Sequence, residues 1–158
     1  MIIKFKNLSE IRKSLSNKKI VLGEGTFDLI HFGHIEYLKG LKKFGDIVVV
    51  EISSNKMVQQ RKGLLRPFVD EKERAAIIDA IRYVDYTFIA PEPHPQKENP
   101  ILQIICSLRP NVFVSIDKEW LRYRKKIEHC GTALKVINVV KPYSTSNIVR
   151  KIIRQERE

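Results

Sequence analysis

The sequence has little of what marks a secreted, membrane-spanning or disulfide-stapled chain. Only two of its 158 residues are cysteine, Cys106 and Cys130, too few for a disulfide scaffold and in no metal-type spacing. No apolar run approaches the roughly 18–20 residues that a membrane span needs. The opening Met1-Ile-Ile-Lys-Phe-Lys lacks a long apolar stretch ending in a small-residue cleavage site, so no signal peptide is expected. Acidic residues are outnumbered, with 18 Asp+Glu against 29 Lys+Arg and a formal charge of +11. The expectation is a soluble cytoplasmic protein in a reducing compartment. Its charge suits an anionic partner, whether nucleic acid, nucleotide or phosphosugar.

What is present suits one domain over residues 1–158. A hydrophobic fraction of 43% excludes a disordered chain, and the length allows a sizeable core. Ile20-Val-Leu reads as a buried strand entering a turn at Gly23-Glu24-Gly25. From His34, apolar Ile35, Leu38 and Leu41 recur at helical spacing up to Gly45-Asp46. Ile47 to Ile52 is a second strand, and Glu71 to Ile81 a helix capped by Asp70 with Glu73 three residues on. Tyr86 to Ala90 is a strand. The proline-rich stretch from Pro91 to Pro100 is a loop. Ile101 to Leu108 predicts a helix, Val112 to Ser115 a strand, Leu134 to Val140 another, and Asn147 to Arg154 a last helix. Such alternation predicts an α/β fold, an open parallel sheet with helices on both faces. Its ligands should lie at the carboxyl ends of the strands.

The loop after the first strand therefore draws attention. It reads Gly25-Thr-Phe-Asp-Leu-Ile-His-Phe-Gly-His34. Imidazoles at His31 and His34 fall on one side of a helical turn, and Gly33 between them lets a ligand approach the backbone. A helix starting here offers free N–H groups to phosphate, and the imidazoles add further donors. Ser144, Thr145 and Ser146 precede the last helix and set up a second such seat. Zinc would need a third ligand, which His94, His129 and the cysteines do not supply locally.

The run from Gly25 to His34 resembles the HxGH signature of the nucleotidyltransferase superfamily, whose members have a Rossmann-like fold. Further blocks resemble the same family in order: Leu41-Lys-Lys-Phe-Gly-Asp46, Arg66-Pro67 with Glu73-Arg74 and Ile81-Arg-Tyr-Val-Asp85, and Tyr143-Ser-Thr-Ser-Asn-Ile148. Together they span residues from about 20 to 154. The resemblance implies transfer of a nucleoside monophosphate to a phosphorylated acceptor, with Mg²⁺ carried largely by the triphosphate. It implies catalytic roles for His31, His34 and Lys42. Gly25, Thr26, Phe27, Gly33, Arg74, Ser144, Thr145 and Ser146 would hold the nucleotide. Asp28 would order the loop or touch the acceptor, with Asp117 nearby.

Within the superfamily two branches fit. Heptose-1-phosphate adenylyltransferases are similar at Leu8-Ser-Glu-Ile-Arg-Lys13, Lys62-Gly63, Arg66-Pro67 and Tyr143-Ser-Thr-Ser146. Glycerol-3-phosphate cytidylyltransferases are similar at Gly25-Thr-Phe-Asp28 and Ile81-Arg-Tyr-Val-Asp85. Their Arg-Thr-x-Gly is replaced here by Val140-Lys-Pro-Tyr143, which favours adenylyl transfer to a sugar phosphate. Where many relatives have a glycine-rich turn after the fourth strand, this chain has Ser115-Ile-Asp-Lys-Glu-Trp120. The basic stretch that follows nominates Lys118 and Arg122 as acceptor contacts, or as a solvated helix face. A non-catalytic nucleic-acid binder is the reading from another class, motivated by this stretch with Trp120 and Tyr123. Against it, the basic residues are dispersed along the chain. Dimers are common among similar enzymes, and the apolar Met1-Ile-Ile lead would suit such a contact.

Overall fold

Short runs of β-branched residues with no polar alternation bury both faces, which a parallel sheet covered by helices allows. In the computed structural model, which describes residues 1–93, 99–138 and 143–156, these runs form five strands. They are β1 (Ile20–Gly25), β2 (Ile47–Ile52), β3 (Tyr86–Ile89), β4 (Val112–Ser115) and β5 (Ala133–Val136). All pairs are parallel. The strand order is β3-β2-β1-β4-β5, so it reverses between β1 and β4.

The helices described are α1 (Leu8–Ser14), α2 (Phe32–Leu41), α3 (Asn55–Lys62), α4 (Glu71–Asp79), α5 (Pro100–Leu108), α6 (Arg124–His129) and α7 (Thr145–Gln155). A 3-10 helix, Lys118–Tyr123, leads into α6. One sheet face packs Val21, Val48, Val50 and Val114 against Leu38 and Leu41 of α2 and Ala75 and Ile78 of α4. The other packs Leu22, Val49, Phe88 and Phe113 against Leu8, Ile101, Ile104, Ile105 and Ile127. Each such side chain, fully buried, contributes about 1.5–3 kcal/mol of transfer free energy. The Rossmann-like α/β fold expected from the sequence is the fold observed.

Five details differ from the expectation. Gly23, Glu24 and Gly25 continue β1 rather than turn, because each has a register partner among Val50, Glu51 and Ile52 of β2. Glycine at 23 lets α2 pack tightly there, since a Cβ would collide with the Leu41 side chain. Helices α1 and α3 bury only Leu8 and Val58 respectively, too little to leave an apolar period in the sequence. The Met1-Ile-Ile lead is used within the chain: Ile3 N–H donates to Thr87 O at 2.8 Å and Thr87 N–H to Met1 O at 3.1 Å, covering the β3 edge. Cys106 and Cys130, expected in a reducing compartment and as no disulfide scaffold, are joined by a disulfide, because α5 and α6 lie side by side on one face. The expected strand over 134–140 is observed as Ala133–Val136, with residues 139 and 140 outside the described ones.

Candidate active site

The loop between β1 and α2 is built to deliver two histidines to the carboxyl edge of the sheet. Phe27 adopts φ 48°, a left-handed conformation that costs a non-glycine residue about 1 kcal/mol or more. Burial of its ring offsets this, with Phe27 packed 5.2 Å from the His34 ring and 6.3 Å from Tyr37. Gly25 leaves room for that ring, since a Cβ there would meet it at 2.8 Å. Asp28 is only 4% exposed and fully engaged: Oδ1 accepts from the amides of Phe68 at 2.8 Å and Val69 at 3.0 Å, and Oδ2 from Arg66 at 3.1 Å. The carboxylate thereby ties the first loop to the segment before α4. Of the two roles expected for Asp28, the one observed is ordering of the loop.

His31 is the N-cap of α2 in extended conformation and leaves its side chain free of any capping bond. Its ring stacks on His34 with centroids 3.7 Å apart. Burial lowers the pKa of both imidazoles, and that of His34 falls to about 4. Both rings are therefore neutral at physiological pH, each keeping one N–H to donate. The Nδ1 atoms of both are buried without a partner among the described residues. The Phe32 and Gly33 amides open α2 without a helical acceptor. Gly33 gives the closest fit here, because a Cβ would press on the Tyr143 and His31 side chains at 3.0 and 3.1 Å. Phe32 meets Tyr143 edge-on at 5.1 Å, which brings the start of α7 alongside the start of α2. Ser144 caps α7 by accepting from the Asn147 amide at 3.2 Å.

These parts line one cleft of about 1050 Å³. Glu24, Gly25, Thr26, Phe27, Asp28, His31, Gly33, His34, Asp117, Ser144, Thr145 and Ser146 all contribute to its wall. So do three cations whose place sequence reasoning did not assign: Arg61 and Lys62 at the end of α3, and Arg66 beyond it. Burial and the neighbouring Arg61 and Arg66 charges lower the pKa of Lys62. Lys62 also donates to Thr26 Oγ1 at 3.4 Å. The Lys62-Gly63 and Arg66-Pro67 pairs were the signal available for them.

Four nominated residues are not where a ligand would meet them. Lys42 lies at the far end of α2, where its Nζ pairs with Asp85 at 2.6 Å; it does not line the cleft. Arg74 is fully buried and donates to the carbonyls of Val69, Thr26 and Ser53 and to Asn55 Oδ1. It braces the cleft floor from behind. Lys118 and Arg122 are exposed and outside the cleft, with Arg122 paired to Glu119 at 2.9 Å. The 3-10 geometry that continues from Asp117 turns them to solvent. Trp120 is 7% exposed, packed on Phe113 and Tyr123, with its indole N–H on Glu24 Oε1, so it cannot stack on a base. Among the described residues no three His, Cys, Asp or Glu side chains gather as a metal site, and no helix is long and apolar enough to cross a membrane. His94, weighed above as a zinc ligand, lies outside the described residues.

Known proteins agree with this geometry. The Cytidylyltransferase-like family model matches residues 22–156. The Bifunctional protein HldE of Geobacter metallireducens is 37% identical over 140 residues, covering 87% of this chain and 27% of that protein. That of Campylobacter jejuni is 34% identical over 154 residues, covering 94% and 31%. The chain thus spans under a third of the length of these relatives. Among solved structures, a lipopolysaccharide core biosynthesis protein from Thermoplasma volcanium superposes with a TM-score of 0.64 at 26% identity, covering 80% of this chain and 99% of that one. A pantoate-beta-alanine ligase from Francisella tularensis shares the fold at 19% identity and a TM-score of 0.60, covering 100% and 79%. With the histidine pair, two helix N-termini and a cationic wall meeting at the strand-order reversal, the chain belongs to the Cytidylyltransferase-like family and is a nucleotidyltransferase.

Proposed function

We propose that this chain transfers AMP from ATP to a sugar phosphate of the heptose 1-phosphate type and releases pyrophosphate. The observation that carries this reading is the meeting of His31, His34 and the α2 amides with Ser144–Ser146 and the Arg61, Lys62 and Arg66 cations around one cleft. Two anions must approach each other there. Fixed N–H donors and cations offset that repulsion without reorganising. An oxygen of the acceptor phosphate attacks the α-phosphorus, the new P–O bond forms, and the bond to the β-phosphate oxygen breaks. Pyrophosphate leaves with the electron pair, and no side chain becomes covalently attached. His31 and His34 donate to the oxygens where charge grows, Thr145 and Ser146 flank the nucleotide at α7, and Lys62 neutralises phosphate from the α3 side.

The resemblance implies Mg²⁺, and the donor set suits an ion that arrives on the triphosphate. Mg²⁺ keeps several waters and needs only one or two carboxylates, and Asp117, exposed at the cleft, is the residue present that fits. When bound, the ion supplies neutralising charge to the triphosphate. The choice of adenylyl over cytidylyl transfer rests on the Lys62-Gly63, Arg66-Pro67 and Tyr143-Ser-Thr-Ser146 resemblance. The test is pyrophosphate release with ATP or CTP against heptose 1-phosphate and glycerol 3-phosphate. Release with ATP and the heptose phosphate is expected. Release with CTP and glycerol 3-phosphate would keep the chemistry and reverse the substrates.

A further inference from the structure

Glu24 is among the cleft residues that the mechanism leaves unused. It is the last residue but one of β1, at the strand-order reversal, and its carboxylate stands among groups that otherwise suit phosphate. Oε1 is clamped: it accepts from Ser115 Oγ at 2.6 Å and from the Trp120 indole N–H. Ser115 Oγ in turn accepts from the Asp117 amide at 3.0 Å. These bonds lock the turn after β4 to the end of β1. Oε2 has no hydrogen-bond partner among the described residues, although Glu24 lines the cleft.

The neighbours define what that oxygen can take. Glu51 is the register partner of Glu24 on β2, fully buried, with neither carboxyl oxygen hydrogen-bonded among the described residues. Burial, then the Glu24 charge, raises the Glu51 pKa well above the usual carboxylate range. Glu51 is thus neutral; burial raises the Glu24 pKa as well, and the hydrogen bonds from Ser115 and Trp120 and then the Arg61 charge oppose that rise. The free oxygen of a carboxylate held in this way repels phosphate and accepts from hydroxyl groups. The cations Arg61, Lys62 and Arg66 and the two helix N-termini supply the phosphate side, which leaves the Glu24 corner for the part of a ligand that bears hydroxyls.

We propose that Glu24 is a specificity residue, whose free carboxylate oxygen accepts hydrogen bonds from ligand hydroxyls and keeps phosphate out of that corner. The proposal rests on the nucleotidyl-transfer reading above only for the identity of the ligands. Two of them carry hydroxyls, the sugar phosphate and the ribose of the nucleotide.

The experiment measures Glu24→Gln, which keeps an oxygen for Ser115 and Trp120 but presents an amide to the cleft. Its readouts are the KM for heptose 1-phosphate in pyrophosphate release and the calorimetric Kd values for ATP and inorganic pyrophosphate. A tenfold or larger rise in the acceptor KM is expected, with the ATP and pyrophosphate Kd values within twofold. A tenfold rise in the ATP Kd instead, with pyrophosphate unchanged, assigns the hydroxyls to ribose and also supports the proposal. If both hydroxyl-bearing ligands stay within twofold, the proposal is wrong. A pyrophosphate Kd that weakens as much as the others also overturns it, since that ligand has no hydroxyl. Absence of turnover in the wild type would count against the reaction as read, and the ATP and pyrophosphate arms would then decide on Glu24 alone. Should Glu24→Gln fail to fold, Ser115→Ala loosens the clamp while keeping the carboxylate. A threefold or larger rise for one hydroxyl-bearing ligand is then expected, and no rise for either overturns the proposal.

Discussion

The two ends of α2 carry polar side chains of similar reach, and only one end meets the cleft. At the N-terminus stand His31 and His34, free first-turn amides and the neighbouring start of α7. At the C-terminus Lys42 pairs with Asp85, which also accepts from the Val48 amide at 2.7 Å. Asp85 thereby ties the end of α2 to the starts of β2 and β3. In a parallel sheet every strand ends at the same edge, so the helices that follow begin there. A cation's use then follows the edge it stands on rather than its charge. The same contrast separates Arg61, Lys62 and Arg66 in the cleft wall from Arg74 beneath it.

The largest effect should come from the buried side of this comparison. Arg74→Ala leaves the carbonyls of Thr26 and Ser53 without their donor in the interior. A loss of about 3–5 kcal/mol is expected, seen as a fall in urea or thermal midpoint, and Arg74→Lys should not restore it because a lysine lacks the planar fork. Normal stability with a weakened ATP Kd would instead put Arg74 in contact with ligand. Next comes the exposed side: Lys62→Met should reduce pyrophosphate release about 100-fold while leaving the midpoint within a few degrees. A matching loss of stability would reduce Lys62 to a structural role.

A smaller effect is expected at Glu51. Its raised pKa means that the folded state holds a proton which the unfolded chain releases above about pH 4.3. Stability is therefore lost as pH rises from there. Glu51→Gln removes this dependence, so it should stabilise by about 1–3 kcal/mol at pH 8 and by less near pH 4, measured by denaturation at both pH values. A gain that is larger at low pH would contradict the buried neutral carboxyl. The smallest effect concerns His34, whose folded pKa of about 4 lies below its unfolded value of 6.5. The folded state binds fewer protons across that window, so stability falls as pH drops from 6.5 towards 4. His34→Gln should flatten this part of the curve, and an unchanged slope would argue that the imidazole is not desolvated.

The sheet and the histidine turn were legible because each rests on a local pattern. The Ile47–Ile52 run, the Asp70 cap and the two imidazoles flanking Gly33 all report their own surroundings. Residues whose role depends on which edge of the sheet they reach were not legible in this way. Lys42 caps the helix that bears His34, yet the eight-residue step from His34 to Lys42, at about 1.5 Å per residue, carries it away from the cleft. Arg74 looks like a surface helix cation until Thr26, Ser53 and Asn55 are folded around it. Glu24 read as part of a turn because nothing local shows that Ser115 and Trp120 will hold its carboxylate. Trp120 misled in the opposite sense: a tryptophan in a basic stretch suits a nucleic-acid surface, but its indole closes the turn behind the cleft.

The contrast between the ends of α2 is tested most directly by assaying His34→Ala and Lys42→Ala side by side for pyrophosphate release. The His34 variant should lose 100-fold or more in kcat with little change in unfolding midpoint. The Lys42 variant should stay within about threefold in rate and lose about 1 kcal/mol of stability, the usual scale for a partly exposed ion pair. Equal losses of rate in both, or the larger loss in Lys42→Ala, would contradict a catalytic centre confined to the N-terminal end of the helix.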